Sequence, residues 1–266
     1  MTIQALSMTT IYKEDHGTPE PYLQRIAEAG FTHIHWSHHW SSDFLYSAPE
    51  VAQIRHWMHE YGLQVLDVHA SAGKEKRWDA PKEYRRLAGV ELVRNRLDLA
   101  ASLGAGAIVL HAYPDQSYEN QRRSLAELEP FSRLVGVRIA LENLFEGNLE
   151  RLEMLFAEFS PDFLAFCYDT GHGNMLPGSL DFLQRWADRL AVVHIHDNDG
   201  TADQHRLPFT ASVDWLRFAR LVAGSAYVNP LNLECIMGNH NGMSEVDFLQ
   251  ASYQSGVQLE GMRRVP

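Results

Sequence analysis

The residues with the clearest chemical potential lie between Tyr168 and His205. Asp169-Thr170-Gly171-His172 and His194-Ile195-His196-Asp197-Asn198-Asp199 form two ligand-rich clusters, with Asp203 and His205 just beyond. Each cluster follows a short apolar run, Phe163 to Cys167 and Leu190 to Val193, that reads as a buried strand. Imidazoles and carboxylates placed where strands give way to loops are the donors that a divalent metal site in a parallel barrel needs.

Those clusters need a scaffold, and the chain alternates short β-branched or aromatic runs with longer amphipathic ones. Strands are expected at Ile3 to Met8, Phe31 to Trp36, Leu63 to His69, Ala107 to His111, Val137 to Glu142, Phe163 to Asp169, Leu190 to His194 and Val228 to Cys235. Helices are expected from Pro19 to Gly30, Pro49 to Gly62, Lys82 to Leu103, within Ser117 to Leu134, and near Leu149 to Phe159. Three more run from Ser179 to Asp188, from Val213 to Ala223, and onward from about Ser244. Proline in the first turn and glycine just past the last mark several of these boundaries. Eight strand and helix pairs predict an α/β fold, a single (β/α)8 TIM barrel spanning residues 1–266 as one domain. An open doubly wound sheet is the rival, but no glycine-rich phosphate loop follows the first strand.

The expected strands end in His35, His69, His111, Glu142, Asp169, His194 and Glu234, only the first strand lacking such a residue. In a parallel barrel all these ends meet on one face. His, Asp and Glu are depleted from strands, and charge at the apolar top of a barrel must be paired or metal-bound. The set therefore predicts a metal site, although any one member could be a strand-end polar group bonded to a nearby loop.

Composition excludes some classes. Hydrophobic residues are 45% and charged residues 21% of the 266, as in an ordinary globular protein with a sizeable core. A formal net charge of -11 argues against a general polyanion-binding surface. No apolar run reaches the roughly 20 residues needed to span a bilayer, and residues 1–5 lack the pattern of a signal peptide. The two cysteines, Cys167 and Cys235, lie in apolar runs and read as reduced core thiols, which predicts a cytoplasmic protein.

The motifs Val68-His69-Ala70, Leu110-His111-Ala112, Leu141-Glu142-Asn143, Asp169-Thr170-Gly171-His172, His194-Ile195-His196-Asp197-Asn198, Asp203-Gln204-His205 and Leu233-Glu234 resemble the xylose isomerase-like barrel superfamily. That superfamily includes sugar and sugar-phosphate isomerases and epimerases and the endonuclease IV type enzymes. The match in order and spacing runs from the third strand to the eighth, and it is specific for the superfamily rather than for a substrate. Resemblance to the tagatose epimerase branch implies one divalent ion held by Glu142, Asp169, His194 and Glu234, with His172 touching substrate. Resemblance to the endonuclease branch implies a three-zinc cluster that also uses His69, His111, His172, Asp203 and His205. Every one of these positions carries the ligand type.

Loops favour the first branch. Ser71 to Pro81 holds Lys74, Lys76 and Arg77, but Ala112 to Asp115, Asn143 to Asn148 and Gly173 to Gly178 hold no basic residue. A DNA reader needs such residues around its site. The expected partner is therefore a small carbohydrate rather than nucleic acid or membrane, with a homo-oligomer left open. Three carboxylates and one imidazole suit Mn²⁺ or Mg²⁺, with Co²⁺ or Zn²⁺ as further candidates. The expected activity is a metal-dependent sugar isomerase or epimerase working by proton transfer through a metal-stabilised enediolate, with Glu142 and Glu234 as the acid/base pair. The alternatives are a trinuclear zinc phosphodiesterase, a metal-dependent lyase on an oxidised glycoside, and a non-catalytic sugar-binding barrel. His35 and Trp36 are expected on the pocket wall, where Trp36 or Trp40 could stack on a sugar face. His69, His111, His172, Asp203 and His205 are expected to bind substrate or a second metal.

Overall fold

The computed structural model describes residues 4–13, 17–38, 43–70, 75–145, 147–240 and 242–264. Ile3, Trp40 and Lys74, which enter the sequence reading, lie outside these residues.

Eight parallel strands form the expected barrel. They are β1 (Leu6–Thr9), β2 (His33–Trp36), β3 (Gln64–His69), β4 (Ala107–His111), β5 (Arg138–Glu142), β6 (Leu164–Asp169), β7 (Leu190–His194) and β8 (Leu231–Leu233). Each strand pairs in parallel with its sequence neighbour from β1 to β7, and β1 also pairs with β8. An isolated parallel bridge between Ile195 and Leu233 draws β7 and β8 together, with Glu234 N–H donating to Ile195 O at 2.9 Å. The barrel is thereby almost closed, and Glu234 is pinned one residue past its strand.

The helices follow the predicted pattern: α1 (Glu20–Glu28), α2 (Ala48–Tyr61), α3 (Glu83–Leu103), α4 (Tyr118–Val135), α5 (Asn148–Glu158), α7 (Ser179–Arg185), α8 (Trp215–Ala223) and α9 (Glu245–Arg264). One short helix, α6 (Thr170–Asn174), was not expected; it starts directly from β6, with Asp169 as its cap. The eighth strand is shorter than the predicted Val228 to Cys235, because Pro230 removes a ladder donor at its start. Gly62, Gly104 and Gly136 end α2, α3 and α4 at φ 64, 77 and 71°, conformations that glycine alone adopts without strain.

Strand alternation sorts the side chains into two layers. Outward residues such as Leu6, Met8, Ile34, Val68, Ile108, Leu141 and Phe166 join the helices in the main core. Inward, the lower barrel divides by chemistry. Ala107, Val109, Ala140, Ala165, Cys167 and Val192 fill one half with small apolar groups. The other half is polar: Ser7 donates to Asn232 at 2.9 Å, and the hydroxyls of Thr9 and Ser37 lie 2.7 Å apart. Both cysteines are free and buried. Among the described residues no helix is long and apolar enough to cross a membrane.

Gly89 shows how tightly α3 is seated. A Cβ there would meet the backbone of Arg77 and Trp78 at 2.3 Å. Gly89→Ala should therefore destabilise the chain by about 1–3 kcal/mol. Gly106→Ala, with nothing within 4 Å of the added methyl, should be close to neutral. Denaturant unfolding of the two variants checks this contrast.

Candidate metal centre

The C-terminal strand ends gather the predicted ligands. Glu142, Asp169, His194 and Glu234 each offer a donor atom within 4.8 Å of the others, and all four are buried. His194 Nδ1 is central, 2.8 Å from Glu142 Oε1 and 3.1 Å from Glu234 Oε2. Donors bound at about 2.1 Å and at right angles around one ion would lie about 3.0 Å apart, close to these separations.

Among the described residues four further donor groups share members with the first. His69, His111 and Glu142 form one, with His111 Nε2 at 2.6 Å and His69 Nε2 at 3.7 Å from Glu142 Oε2. On the other side Asp203 Oδ2 lies 3.3 Å from His172 Nε2 and 3.1 Å from His205 Nε2. His196, outside the predicted set, also reaches this side. Its Nε2 is 3.0 Å from Asp169 Oδ2, and its ring stacks on His205 with centroids 3.9 Å apart. Its parity was a usable signal: on an extended strand, the residue two after His194 points the same way.

Local sequence explains the placement. Asp169 Oδ1 accepts from His172 N–H at 2.7 Å, so the Asp-Thr-Gly-His run turns immediately into α6 and brings the imidazole back over the carboxylate. Gly171 is required because a Cβ would fall 1.9 Å from His196 Cε1. Asn143 holds Asp169 through its backbone, accepting from the Asp169 N–H at 2.8 Å and donating to its carbonyl at 2.9 Å. Asp197, next to His196, turns the other way. It accepts from the N–H groups of Asn198, Thr210, Ala211 and Val213 and from the Trp215 indole, and so anchors the loop that carries Asp203 and His205. His205 sits in that loop at φ 42°, a strained backbone for a non-glycine residue.

Several imidazoles are oriented as ligands are. His69, His172 and His205 each place Nδ1 within 2.7–3.0 Å of a backbone carbonyl, of Ala70, Asn143 and Glu234 respectively. With the proton held there, Nε2 is left facing a carboxylate. That is the arrangement in which metal-binding histidines spend one nitrogen on the protein and offer the other to an ion.

The carboxylates need positive charge among them. Asp67, Glu142, Asp169, Asp203 and Glu234 lie among histidines, and among the described residues none of them pairs with Lys or Arg. Unpaired carboxylates taken out of water are costly. Burial alone would raise the Glu142 and Glu234 carboxyls. The charge on His194, aided at Glu142 by the His111 hydrogen bond, outweighs burial and holds both below the usual carboxylate range. For His194 itself, burial is outweighed by the charges of Glu234 and Glu142, which push it well above an ordinary histidine. Protons thus do in the metal-free chain what a divalent ion would do, and the donor set fits such an ion.

The two residues expected on the pocket wall are placed differently. His35 is fully buried beneath the cluster, its ring 4.5 Å from that of His194. Trp36 faces the helices, because alternation carries it away from the side His35 occupies. Its indole donates to Tyr46 Oη at 2.9 Å and lines a separate cavity of about 370 Å³ with Phe44 and Trp57. Cys167 points inward below the site, as its parity with Asp169 requires.

Fold and site define a (β/α)8 barrel with a carboxylate and imidazole centre at its C-terminal face. Residues 23–252 match the model of the family described as Xylose isomerase-like TIM barrel, and the chain belongs to that family. It is 35% identical to the uncharacterized protein y4fM of Sinorhizobium fredii, with 90% of this chain and 88% of the relative covered. Its fold is similar to that of a D-psicose 3-epimerase solved in the presence of D-fructose, with a TM-score of 0.81, 17% identity, and 98% and 99% of the two chains covered. The IOLI protein solved with a bound zinc atom is also similar, with a TM-score of 0.75, 12% identity, and 96% and 98% covered. Other structural neighbours are sugar epimerases.

The outer group predicts a pH dependence. At both His172 and His205 burial favours the neutral ring. The charges of Asp169, Asp203 and Glu142 and the Asp203 hydrogen bond outweigh it at His172, raising the pKa to about 10. At His205 the Asp203 hydrogen bond and the Glu234, Asp203 and Asp169 charges raise it to about 9. Both folded values exceed the unfolded value of 6.5, so this stabilisation is complete below about pH 6.5 and is lost as pH rises through 9 to 10. The thermal midpoint of the metal-free protein should fall between pH 7 and 10, and Asp203→Asn should flatten that fall.

Proposed function

We propose that this chain is a divalent-metal-dependent isomerase or epimerase of a sugar or sugar derivative, acting as a single-domain cytoplasmic enzyme. The observation that carries the reading is the donor group itself. Glu142 and Glu234, from the ends of β5 and β8, converge on His194 Nδ1 and share one site with Asp169. Structural neighbours that are sugar epimerases support the substrate class.

Glu142, Asp169, His194 and Glu234 would hold the ion, with Mn²⁺ or Mg²⁺ preferred on the chemistry of three carboxylates and one imidazole, and Co²⁺ or Zn²⁺ next. What such an ion would supply when bound is Lewis acidity toward a substrate carbonyl and its neighbouring hydroxyl, which would acidify the C–H of the hydroxyl-bearing carbon. Glu142 and Glu234, both held below the usual carboxylate range by the charge on His194, are the carboxylates that can accept that proton. They come from strands three apart in the barrel; one would remove the proton on one face of the substrate carbon and the other would return one on the opposite face. His111, bonded to Glu142 Oε2, orients that carboxylate. His172 and Asp203, at the outer edge of the cluster, hold substrate hydroxyls.

A second reading, a phosphodiesterase with three zinc ions, is favoured by one observation. The groups flanking the centre, His69 with His111 and His172 with Asp203 and His205, are arranged as ligands are. Against it stands the surface: Lys76 donates to Asp43 O, and Arg77 is paired with Asp79.

Elemental analysis of the purified protein separates the two readings. One ion per chain supports the isomerase or epimerase, and three zinc ions support the phosphodiesterase. In a ketose screen with the native metal, Glu142→Gln and Glu234→Gln should each lower turnover by about 10²- to 10⁴-fold with the circular dichroism unchanged. Full activity in both variants would refute the two-carboxylate scheme.

A further inference from the structure

Beneath the centre lies a buried pair that the proposed chemistry does not use. His35 Nδ1 is hydrogen-bonded to Asp67 Oδ1, with the two side chains 0% and 1% exposed. The strand register is adjusted to make this pair. Ile34 pairs with Val65, but the next residue, His35, pairs with Asp67, so Leu66 is skipped. In unbroken register His35 would pair with Leu66 and Asp67 would turn to the opposite face of the sheet; the one-residue shift instead sets a carboxylate beside the imidazole. Asp67 Oδ2 makes no hydrogen bond among the described residues, so the His35 ring is the polar partner of this carboxylate.

With its Nδ1 committed to Asp67, His35 presents Nε2 toward Glu234 Oε1 at 3.6 Å, and this nitrogen makes no hydrogen bond of its own. The other oxygen of Glu234, Oε2, faces His194 and the donor group. A carboxylate–histidine pair directed at one oxygen of a ligand leaves the second oxygen aimed at the ion, which is how outer partners fix ligand orientation. Rotation of the His35 ring is blocked by the rings of His69 and His194, with centroids 5.8 and 4.5 Å away.

We infer that Asp67 and His35 are positioning residues for Glu234, with Asp67 fixing the His35 ring and His35 fixing the carboxylate that faces the metal. The inference rests on the reading of Glu234 as a metal ligand. Asp67 acts through His35, and neither residue touches substrate.

The test is Mn²⁺ titration by calorimetry of the full chain after chelator treatment, for wild type, Asp67→Asn, His35→Gln and the double variant, beside their metal-free thermal midpoints. Asp67→Asn should weaken Mn²⁺ binding about 10- to 100-fold with the midpoint unchanged. The double variant should bind no more weakly than His35→Gln alone. A purely structural role would move the midpoint and leave the affinity alone. Wild-type affinity in Asp67→Asn, or additive losses in the double variant, would overturn the inference while leaving the metal centre standing. Failure of the wild-type chain to bind Mn²⁺ would overturn both.

Discussion

Five carboxylates, Asp67, Glu142, Asp169, Asp203 and Glu234, crowd into one end of a barrel with only imidazoles as described ionic partners, and that charge imbalance is what the rest of the structure accommodates. Carboxylates in so dry a place repel one another and lose their hydration, so the arrangement survives only with positive charge among them. In the metal-free chain that charge is carried by protons on histidines. The barrel makes the crowding possible because its hydrogen-bonded wall holds each strand end in place whatever its side chain prefers.

The barrel also separates folding from chemistry. The helix-facing side of the sheet is a continuous apolar core, and the lower interior is filled by alanines, Val109, Val192 and Cys167. That burial supplies the stability against which an expensive polar cluster can be maintained. Small side chains beneath Glu142 and Asp169 leave those carboxylates unobstructed, whereas His35 and Asp67 fill the space beneath Glu234. One half of the floor is apolar, and the other carries the buried His35–Asp67 pair.

Much of this was legible in the sequence. The strands were readable because each is short, apolar and closed by a residue that does not belong in a strand, from His69 on β3 to His194 on β7. Glu142, Asp169, His194 and Glu234 meet because a parallel barrel leaves them no other place. Asp67 was missed although it shares parity with His69, because a carboxylate inside a strand reads as a local exception, and the register shift that pairs it with His35 leaves no mark in one sequence. Trp36 was read as a wall residue from its composition, when its parity already assigned it to the helix side. Helix α6 was hidden because Thr170 and Gly171 have poor helix propensity, and it forms through the Asp169 cap and the glycine's close approach to His196.

The anchoring of the loop after β7 has a consequence for how this barrel can diversify. Asp197 and Arg206 exchange both backbone hydrogen bonds, at 2.8 and 2.9 Å, so the span between them is closed at its neck. Within that span His205 holds a positive-φ backbone, φ 42°. An inserted or deleted residue there would release the twist and swing an imidazole out of the cluster. The length of this rim is thereby tied to the Asp197–Arg206 backbone pair, whereas an exchange of side chains along it leaves the bonds of the neck in place.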